Sequence, residues 1–388
     1  MRANKKLALH SVGCYYAVQV NKATPQHTPK KKNLELSSPE RGYFFCPELS
    51  QLTLSDGSEW LGFSPPNQAE ASGEVVFTTG MVGYEQSLSD PSYAGQLLVF
   101  TYPLVGNYGV GNSTTLESDR VQARGLVTSQ HYDGLIDSTR IPLWRWAQDH
   151  ALPTLWGVDT RALTKHIRAK GAMNGLIHPR EMHVSVASTV HIPKVTIAAP
   201  RLYNSKYAKT LILVDCGMKE SILTQLKQLP VRIKRVPLDY DYSNESIDAV
   251  FISNGPGDPA SYGQTVQVLK KVMKKEIPVF GICLGSQLLA LAAGAKTYKL
   301  PYGHRGHNQP CQEVSSRKCI MTSQNHGYAV DERSLPGGWR VSFKNLNDGS
   351  VEGIAHTSKP FMAVQFHPES NPGPTDARWL FDVFKEML

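Results

Sequence analysis

The segment Pro278–Ala293, PVFGICLGSQLLALAA, sets one cysteine between a short apolar run and an Ala/Leu-rich helical pattern. That order puts Cys283 in a sharp strand-to-helix turn. Gly281 and Gly285 on either side permit tight turning and the close approach of another chain. The positive end of a helix dipole favours the thiolate form of a cysteine placed there. The next amide, Leu284 N–H, would point toward a developing oxyanion. The chemistry this suits is nucleophilic attack on a carbonyl carbon. Spacing alone reads equally well as a buried structural cysteine at a strand end.

Two further segments carry polar chemistry. Ser253–Pro259, SNGPGDP, follows an apolar run. A Gly-Pro-Gly turn there exposes backbone N–H groups at the carboxyl edge of a sheet, where open α/β folds bind ligands; an ordinary turn is the plainer alternative. No G-x-x-x-x-G-K-[ST] sequence occurs, so no ATP-binding signature is found. In VQFHPE, Pro368 biases His367 toward extended backbone, so His367 and Glu369 point the same way. A histidine with a carboxylate two positions on suits a general base with its orienting partner. Alone, such a histidine is more often a satisfied polar residue. His304 and His307 raise the question of a metal pair, but a loop beside the site is the better reading, and no metal is expected.

The elements needed to position these residues are legible in outline. Gln51–Leu61 reads as a hairpin around Asp56-Gly57. Glu74–Thr78 and Gln96–Tyr102 read as strands, and Pro142–His150 and Arg161–Lys170 have helical spacing, the latter with Asp159 and Thr160 as caps. Residues 49–190 are therefore expected to form a β-rich α+β domain. Residues 191–209 lack a period and read as a linker. From 210 to 388 the pattern alternates: strands at Leu211–Val214, Val231–Val236, Ala249–Ser253 and Val279–Ile282, with helices at Glu220–Leu229, Gln264–Lys275 and Ser286–Ala293, the last closed by Gly294. This rhythm predicts a doubly wound, mostly parallel sheet. Cys311–Phe366 is more strand-like.

Composition sets outer limits. The 388 residues carry a formal net charge of +8, but residues 1–48 hold eight Lys/Arg against three acids, leaving the rest close to neutral. That does not argue for a nucleic-acid binder. No run approaches the roughly 18 apolar residues of a membrane helix. The six cysteines form no C-x-x-C pair and no zinc spacing, so a reducing compartment is the simpler reading. Residues 1–34 contain no acid, and Lys30-Lys31-Lys32 lies among prolines. Residues 1–48 read as a solvated, disordered extension, with an organellar transit peptide as the second reading and a polyanion- or membrane-binding arm as the third.

Taken in order on one domain, GICLGSQ, SNGPGDP, QNHGYAV and QFHPE resemble the triad (class I) glutamine amidotransferases over about Lys209–Leu388. The front half narrows this. GEVVFTTGMVGYEQSLSDPSYAGQ (Gly73–Gln96), TYPLVGNYGVGN (Thr101–Asn112), GVDTRALTKHIRAKGAMNG (Gly157–Gly175) and the loop YGHRGHNQP (Tyr302–Pro310) are similar to the glutamine-dependent carbamoyl phosphate synthase small subunit. Departures from that pattern are Ser286 after the elbow glycine, His307 and Gln309 in the loop, and Phe366 in QFHPE.

The resemblance implies a glutaminase chain. It would convert L-glutamine to glutamate and ammonia through a thioester and pass the ammonia to a large synthetase subunit for carbamoyl phosphate synthesis from bicarbonate and ATP. Position by position, Cys283 would be the nucleophile, His367 its base and Glu369 the orienting carboxylate. Gly255 and Leu284 would supply oxyanion N–H groups. Ser92, Gly257, Gln287, Asn325, Gly327 and Tyr328 match positions that hold glutamine, with Ser92 placing the pocket at a domain interface. No cofactor is expected on this chain; ATP and Mg²⁺ would belong to the large subunit. The expected assembly is a heterodimer or its multiples, cytoplasmic, serving arginine or pyrimidine synthesis. A glutaminase subunit of another amidotransferase, or a non-catalytic regulatory subunit, are the alternatives.

Overall fold

The computed structural model describes residues 47–111, 116–132, 139–182, 184–187, 191–192 and 194–388. Residues 1–46 of the basic extension, with Cys14 and Cys46, lie outside the described residues; Glu48, expected to belong to that extension, instead begins the first strand, where it pairs with Ser64.

The first domain is built on a seven-stranded sheet. Its strands are β1 (Glu48–Leu54), β2 (Glu59–Ser64), β3 (Ala71–Thr78), β4 (Gln96–Phe100), β5 (Gly125–Val127), β6 (Thr154–Leu155) and β7 (Met173–Pro179), in the order β2-β1-β7-β3-β4-β5-β6. The hairpin expected around Asp56-Gly57 forms, with Gly57 at φ +83 and Glu48 paired with Ser64. β3 to β6 run parallel, whereas β1, β2 and β7 pair antiparallel. Alternate residues of β3 and β4 enter opposite cores. Val75, Phe77, Leu97 and Val99 join Leu163 and Ile167 of helix α3 (Thr160–Lys170) on one side. Val76, Leu98 and Phe100 join Leu143, Trp146 and Ala147 of α2 (Leu143–Asp149) on the other. Asp159 caps α3 by accepting the Ala162 amide at 2.9 Å. A short helix, α1 (Tyr84–Ser89), has no sequence signal: it is six residues long and starts from the left-handed Gly83.

The second domain is built on a ten-stranded sheet. It comprises β8 (Arg201–Tyr203), β9 (Thr210–Asp215), β10 (Arg232–Pro237), β11 (Ala249–Ile252), β12 (Val279–Ile282), β13 (Thr297–Glu313), β14 (Cys319–Val330), β15 (Trp339–Asn345), β16 (Val351–His356) and β17 (Phe361–Val364). The order is β8-β10-β9-β11-β12-β17-β16-β15-β13-β14. β10, β9, β11, β12 and β17 are parallel, and antiparallel strands extend both ends. β8 lies inside the stretch that reads as linker. It is an exposed edge strand, so it carries no apolar alternation to betray it.

The Leu211–Val214 run is continuous because both faces of its strand are buried. Leu211 and Leu213 face Ile222, Leu223 and Leu226 of α4 (Glu220–Leu226) and Leu380 and Phe384 of α7 (Leu380–Met387). Ile212 and Val214 face Val268, Leu269 and Val272 of α5 (Gly263–Met273) and Leu288 and Leu289 of α6 (Leu284–Ala293). This is the doubly wound arrangement that the strand–helix alternation predicts. Gly294, left-handed at φ +101, closes α6 as expected. The carboxyl ends of β9, β11, β12 and β17 converge on one edge, where the site is found.

Candidate active site

Cys283 follows β12 directly and caps α6. Its backbone is at φ +56, ψ −107, a conformation that costs a non-glycine residue roughly 1–3 kcal/mol and clusters at functional sites. The neighbouring glycines serve space rather than torsion. A Cβ on Gly285 would meet the Ile252 carbonyl oxygen at 2.3 Å, and one on Gly281 would meet the Gly285 carbonyl at 2.6 Å. The tight turn therefore falls on the cysteine itself, while the glycines let α6 press against β11 and β12. The Cys283 Sγ donates to the Asn325 carbonyl at 3.5 Å.

His367 leaves the end of β17 and is tied to Ser323 by a backbone hydrogen bond of 2.9 Å. Its Nδ1 lies 2.7 Å from Glu369 Oε1. The pairing makes Nδ1–H the donor and frees Nε2, which is buried and makes no hydrogen bond. Burial would lower His367, but the Glu369 charge and the Cys283 sulfur outweigh it and push the imidazole up to about 10. In unliganded sites the nucleophile–base contact is often long and tightens on substrate. Burial would raise Glu369; the Lys219 charge and then His367 outweigh that and hold it at about 2.

Lys219 is the residue that sequence reasoning missed. It precedes α4 in GMKES, which looks like a solvated helix start, yet it is 3% exposed. Its Nζ lies 3.0 Å from Glu369 Oε1, 3.7 Å from Glu117 Oε1, and donates to the Ser370 carbonyl at 2.6 Å. Two carboxylates outweigh the desolvation of the amine, so the ammonium is held well above its ordinary value.

A cavity of about 460 Å³ opens on Cys283, and both domains line it. It contains all eight expected ligand positions: Ser92, Gly255, Gly257, Leu284, Gln287, Asn325, Gly327 and Tyr328. Ser92 Oγ accepts from Asn254 Nδ2 at 2.8 Å, and Asn325 Nδ2 donates to Asp90 Oδ2 at 3.1 Å. Asp90 also caps the turn Pro91–Tyr93 through the Ser92 amide at 2.9 Å. Asp90 and Asn254 thus join the two halves of the pocket. Gln287 is fixed by the Tyr328 carbonyl at 2.8 Å and Gln365 Oε1 at 3.0 Å. Gly255 sits so close to Cys216 that a Cβ would meet its carbonyl oxygen at 2.1 Å. The Leu284 amide opens a helix and has no intrahelical acceptor. Charged groups missed by the sequence reading complete the wall: Lys299 pairs with Glu74 at 2.7 Å across the domains, and Arg305 donates to the Tyr302 carbonyl at 2.7 Å.

His304 and His307 do not come together as a pair. His307 packs its ring where a Cβ on Gly80 would stand. His304 instead meets His326 and Glu352, with potential ligand atoms within 4.8 Å of one another. His304 Nε2 lies 2.8 Å from Asp348 and Nδ1 lies 3.3 Å from Glu352. Burial would lower His304, but those carboxylates raise it to about 9. Its imidazolium supplies the positive charge that a bound cation would.

A cysteine elbow at the carboxyl edge of a parallel sheet, beside a buried histidine–carboxylate pair and opening on a pocket, defines the class I glutamine amidotransferase module. Residues 212–387 match the family described as Glutamine amidotransferase class-I. Residues 52–177 match Carbamoyl-phosphate synthase small chain, CPSase domain. The chain is 42% identical to the carbamoyl phosphate synthase small chain of Methanopyrus kandleri, over 87% of this chain and 98% of that one. It is 40% identical to the arginine-specific small chain of Neosartorya fischeri, over 88% of this chain and 80% of that one. The multifunctional protein pyr-3 of Neurospora crassa matches at 43% over 88% of this chain. The chain spans 21% of that protein's length, and a similar fraction of other multifunctional relatives, such as 18% of URA2 of Saccharomyces cerevisiae. The chain belongs to the carbamoyl phosphate synthase small chain family. Among the described residues, no helix is long and apolar enough to cross a membrane.

Proposed function

We propose that this chain is the glutaminase component of a carbamoyl phosphate synthase. The observation that carries the reading is the elbow cysteine Cys283 opening on a pocket walled by both domains, with the buried His367–Glu369 pair beside it at 2.7 Å. With its proton already passed to His367 Nε2, whose raised value favours the imidazolium, Cys283 Sγ attacks the side-chain amide carbon of L-glutamine. The oxyanion is received by the Leu284 and Gly255 amides. His367 then returns the proton to the amide nitrogen as the C–N bond breaks, releasing ammonia and leaving a γ-glutamyl thioester. Water attacks that carbon, His367 takes its proton, and glutamate leaves as the thiol is restored. Glu369, held by Lys219, keeps Nε2 toward the sulfur throughout. Ser92, Gly257, Gln287, Asn325, Gly327 and Tyr328 are proposed to hold the substrate.

Ammonia stays unprotonated in a dry conduit and not in bulk water at pH 7, so its user must dock directly. The proposed user is a large synthetase component that consumes bicarbonate, ATP and Mg²⁺, either as a separate subunit in a heterodimer or its multiples, or joined in one polypeptide as in the multifunctional relatives. The hydrolysis itself draws on side chains of this chain alone. A cytoplasmic setting fits this work.

The deciding experiment measures glutamate release from glutamine by the purified chain, alone and with a large synthetase subunit. Release that rises with the partner, rises again with ATP and bicarbonate, and vanishes in Cys283→Ala establishes the reading. Release indifferent to the partner assigns the chain to a different synthetase. No release under any condition, with glutamine still bound, makes it a regulatory subunit.

A further inference from the structure

The first domain contributes more to this site than a pocket wall. Glu117, from the loop before β5, is fully buried and reaches into the second domain. Its Oε2 accepts from the Ser221 amide at 3.0 Å and the Ser221 hydroxyl at 2.8 Å. Its Oε1 accepts from Asn371 Nδ2 at 2.6 Å and lies 3.7 Å from Lys219 Nζ. Its backbone carbonyl accepts the Glu220 amide at 2.9 Å, and its own amide donates to Ser89 Oγ at 2.9 Å. Burial raises the Glu117 carboxyl above its usual range, while the Lys219 charge and the Ser221 hydrogen bonds work against that, and the Asn371 side-chain NH₂ can only donate to it.

Two partners of Glu117 in the second domain, Lys219 and Asn371, adjoin the triad. Lys219 touches Glu369, and Asn371 follows Glu369 by two positions. The backbone there is held in an unusual shape, with Ser370 at φ +62 and Asn371 at φ +54. Glu117 clamps Asn371 through its side chain, while Lys219 clamps the Ser370 carbonyl. Lys219 therefore bridges a carboxylate of each domain. We propose that Glu117 is a positioning residue for the triad, lent by the first domain, which holds Lys219 and through it sets the placement and charge of Glu369. The domain interface thereby becomes part of the catalytic apparatus beyond the substrate pocket. This inference rests on the glutaminase reading.

The test must separate charge from mere packing. The charged and titratable groups around Lys219 are Glu117, Glu369, Asp90, Tyr93, His307 and His367. Glu117→Gln removes one negative charge and keeps the shape. Both the thiolate-forming step at Cys283 and the deprotonation of the His367 imidazolium then occur at lower pH. Both limbs of the kcat/KM profile are expected to move down by about half a unit or more, because a buried charge within about 10 Å is only partly screened. Glutamate kcat is expected to fall about 10- to 100-fold while KM changes less than about threefold, since Glu117 does not line the pocket. Glu117→Asp keeps the charge one methylene further from Lys219 and gives a smaller shift in the same direction. The same profiles are read a second way, as the pH dependence of iodoacetamide alkylation of Cys283 resolved by peptide mass mapping.

That second readout does not depend on glutamine turnover, so a wild-type chain that forms no glutamate refutes the functional reading and still leaves the Glu117 prediction to be decided. If Glu117→Gln fails to fold, Glu117→Asp carries the test. Profiles superimposable on wild type for whichever variant folds, or a loss confined to KM, overturn the proposal.

Discussion

At the scale of single residues, the site is a chain of alternating charge that ends in the proposed nucleophile. Glu117, Lys219, Glu369 and His367 follow one another, and the sulfur of Cys283 is at the end. The triad was legible because each member sits in a local pattern: a glycine-flanked cysteine before a helix, and a histidine two residues before a carboxylate. Lys219 and Glu117 were not, because a lone lysine at a helix start and a glutamate in a polar loop are ordinary surface sequences. Only the tertiary structure buries them. Lys219→Met follows from this geometry. It removes the first opposing charge that keeps Glu369 near 2, so the carboxyl rises toward its ordinary range and the proton-transfer steps move to higher pH. The expected kcat loss is about 100-fold, with both limbs of the pH profile displaced upward, opposite to Glu117→Gln. The loss of the ammonium that Glu117 and Glu369 share also costs stability, about 3–5 kcal/mol by analogy with broken buried pairs. Urea melts of the variant alongside rate–pH profiles check both halves. Unchanged limbs would mean that Lys219 is a packing residue.

At the scale of elements, two devices hold the site. The first is the elbow between β12 and α6. The sequence pattern located it to the residue, but suggested that the glycines do the turning. The structure puts the positive φ on Cys283 and uses Gly285 to admit the Ile252 carbonyl. Gly285→Ala must therefore push α6 away from β11. A backbone oxygen 2.3 Å from the new carbon cannot yield as a flexible side chain would. The expected penalty is about 2–4 kcal/mol, with the misplaced Leu284 amide lowering glutamate kcat. Thermal unfolding and turnover read the two effects separately, and a stability within about 0.5 kcal/mol of wild type would refute the account. The second device ties β13 to the hairpin of β15 and β16 through His304, Asp348 and Glu352. His304 has a folded value of about 9, against about 6.5 unfolded. A raised value means the contribution is complete below about pH 6.5 and is lost as pH climbs through 9. It amounts to about 3 kcal/mol. His304→Gln is expected to be less stable at pH 6 and to lose that part of the slope between pH 6.5 and 9. A variant whose stability falls with pH as steeply as wild type would show that other groups carry it.

At the scale of the whole molecule, the pocket exists only because two domains meet. Each domain's core was readable from apolar runs, since β3, β4, β9 and β11 are buried on both faces. The interface was not, because its contacts are made by scattered polar and charged side chains, among them Asp90, Ser92, Glu117, Lys219 and Lys299, that form no local pattern. Only the family resemblance brought Ser92 to the pocket; in isolation it is a residue of a turn. Asp90 is the hinge of that arrangement. One carboxylate oxygen caps the turn through the Ser92 amide, and the other accepts from Asn325, whose carbonyl receives the Cys283 thiol. Asp90→Ala releases Ser92 from its turn and Asn325 from its anchor at once, leaving the amide of Asn325 without its carboxylate. Both residues line the pocket, while the His367–Glu369 pair keeps its contact. The loss should therefore fall on substrate binding, with KM for glutamine rising about 10- to 100-fold and kcat changing less than about fivefold. Saturation kinetics of glutamate release from the full chain distinguish this from a domain interface that is only scaffolding, for which KM would stay put and the melting temperature alone would fall.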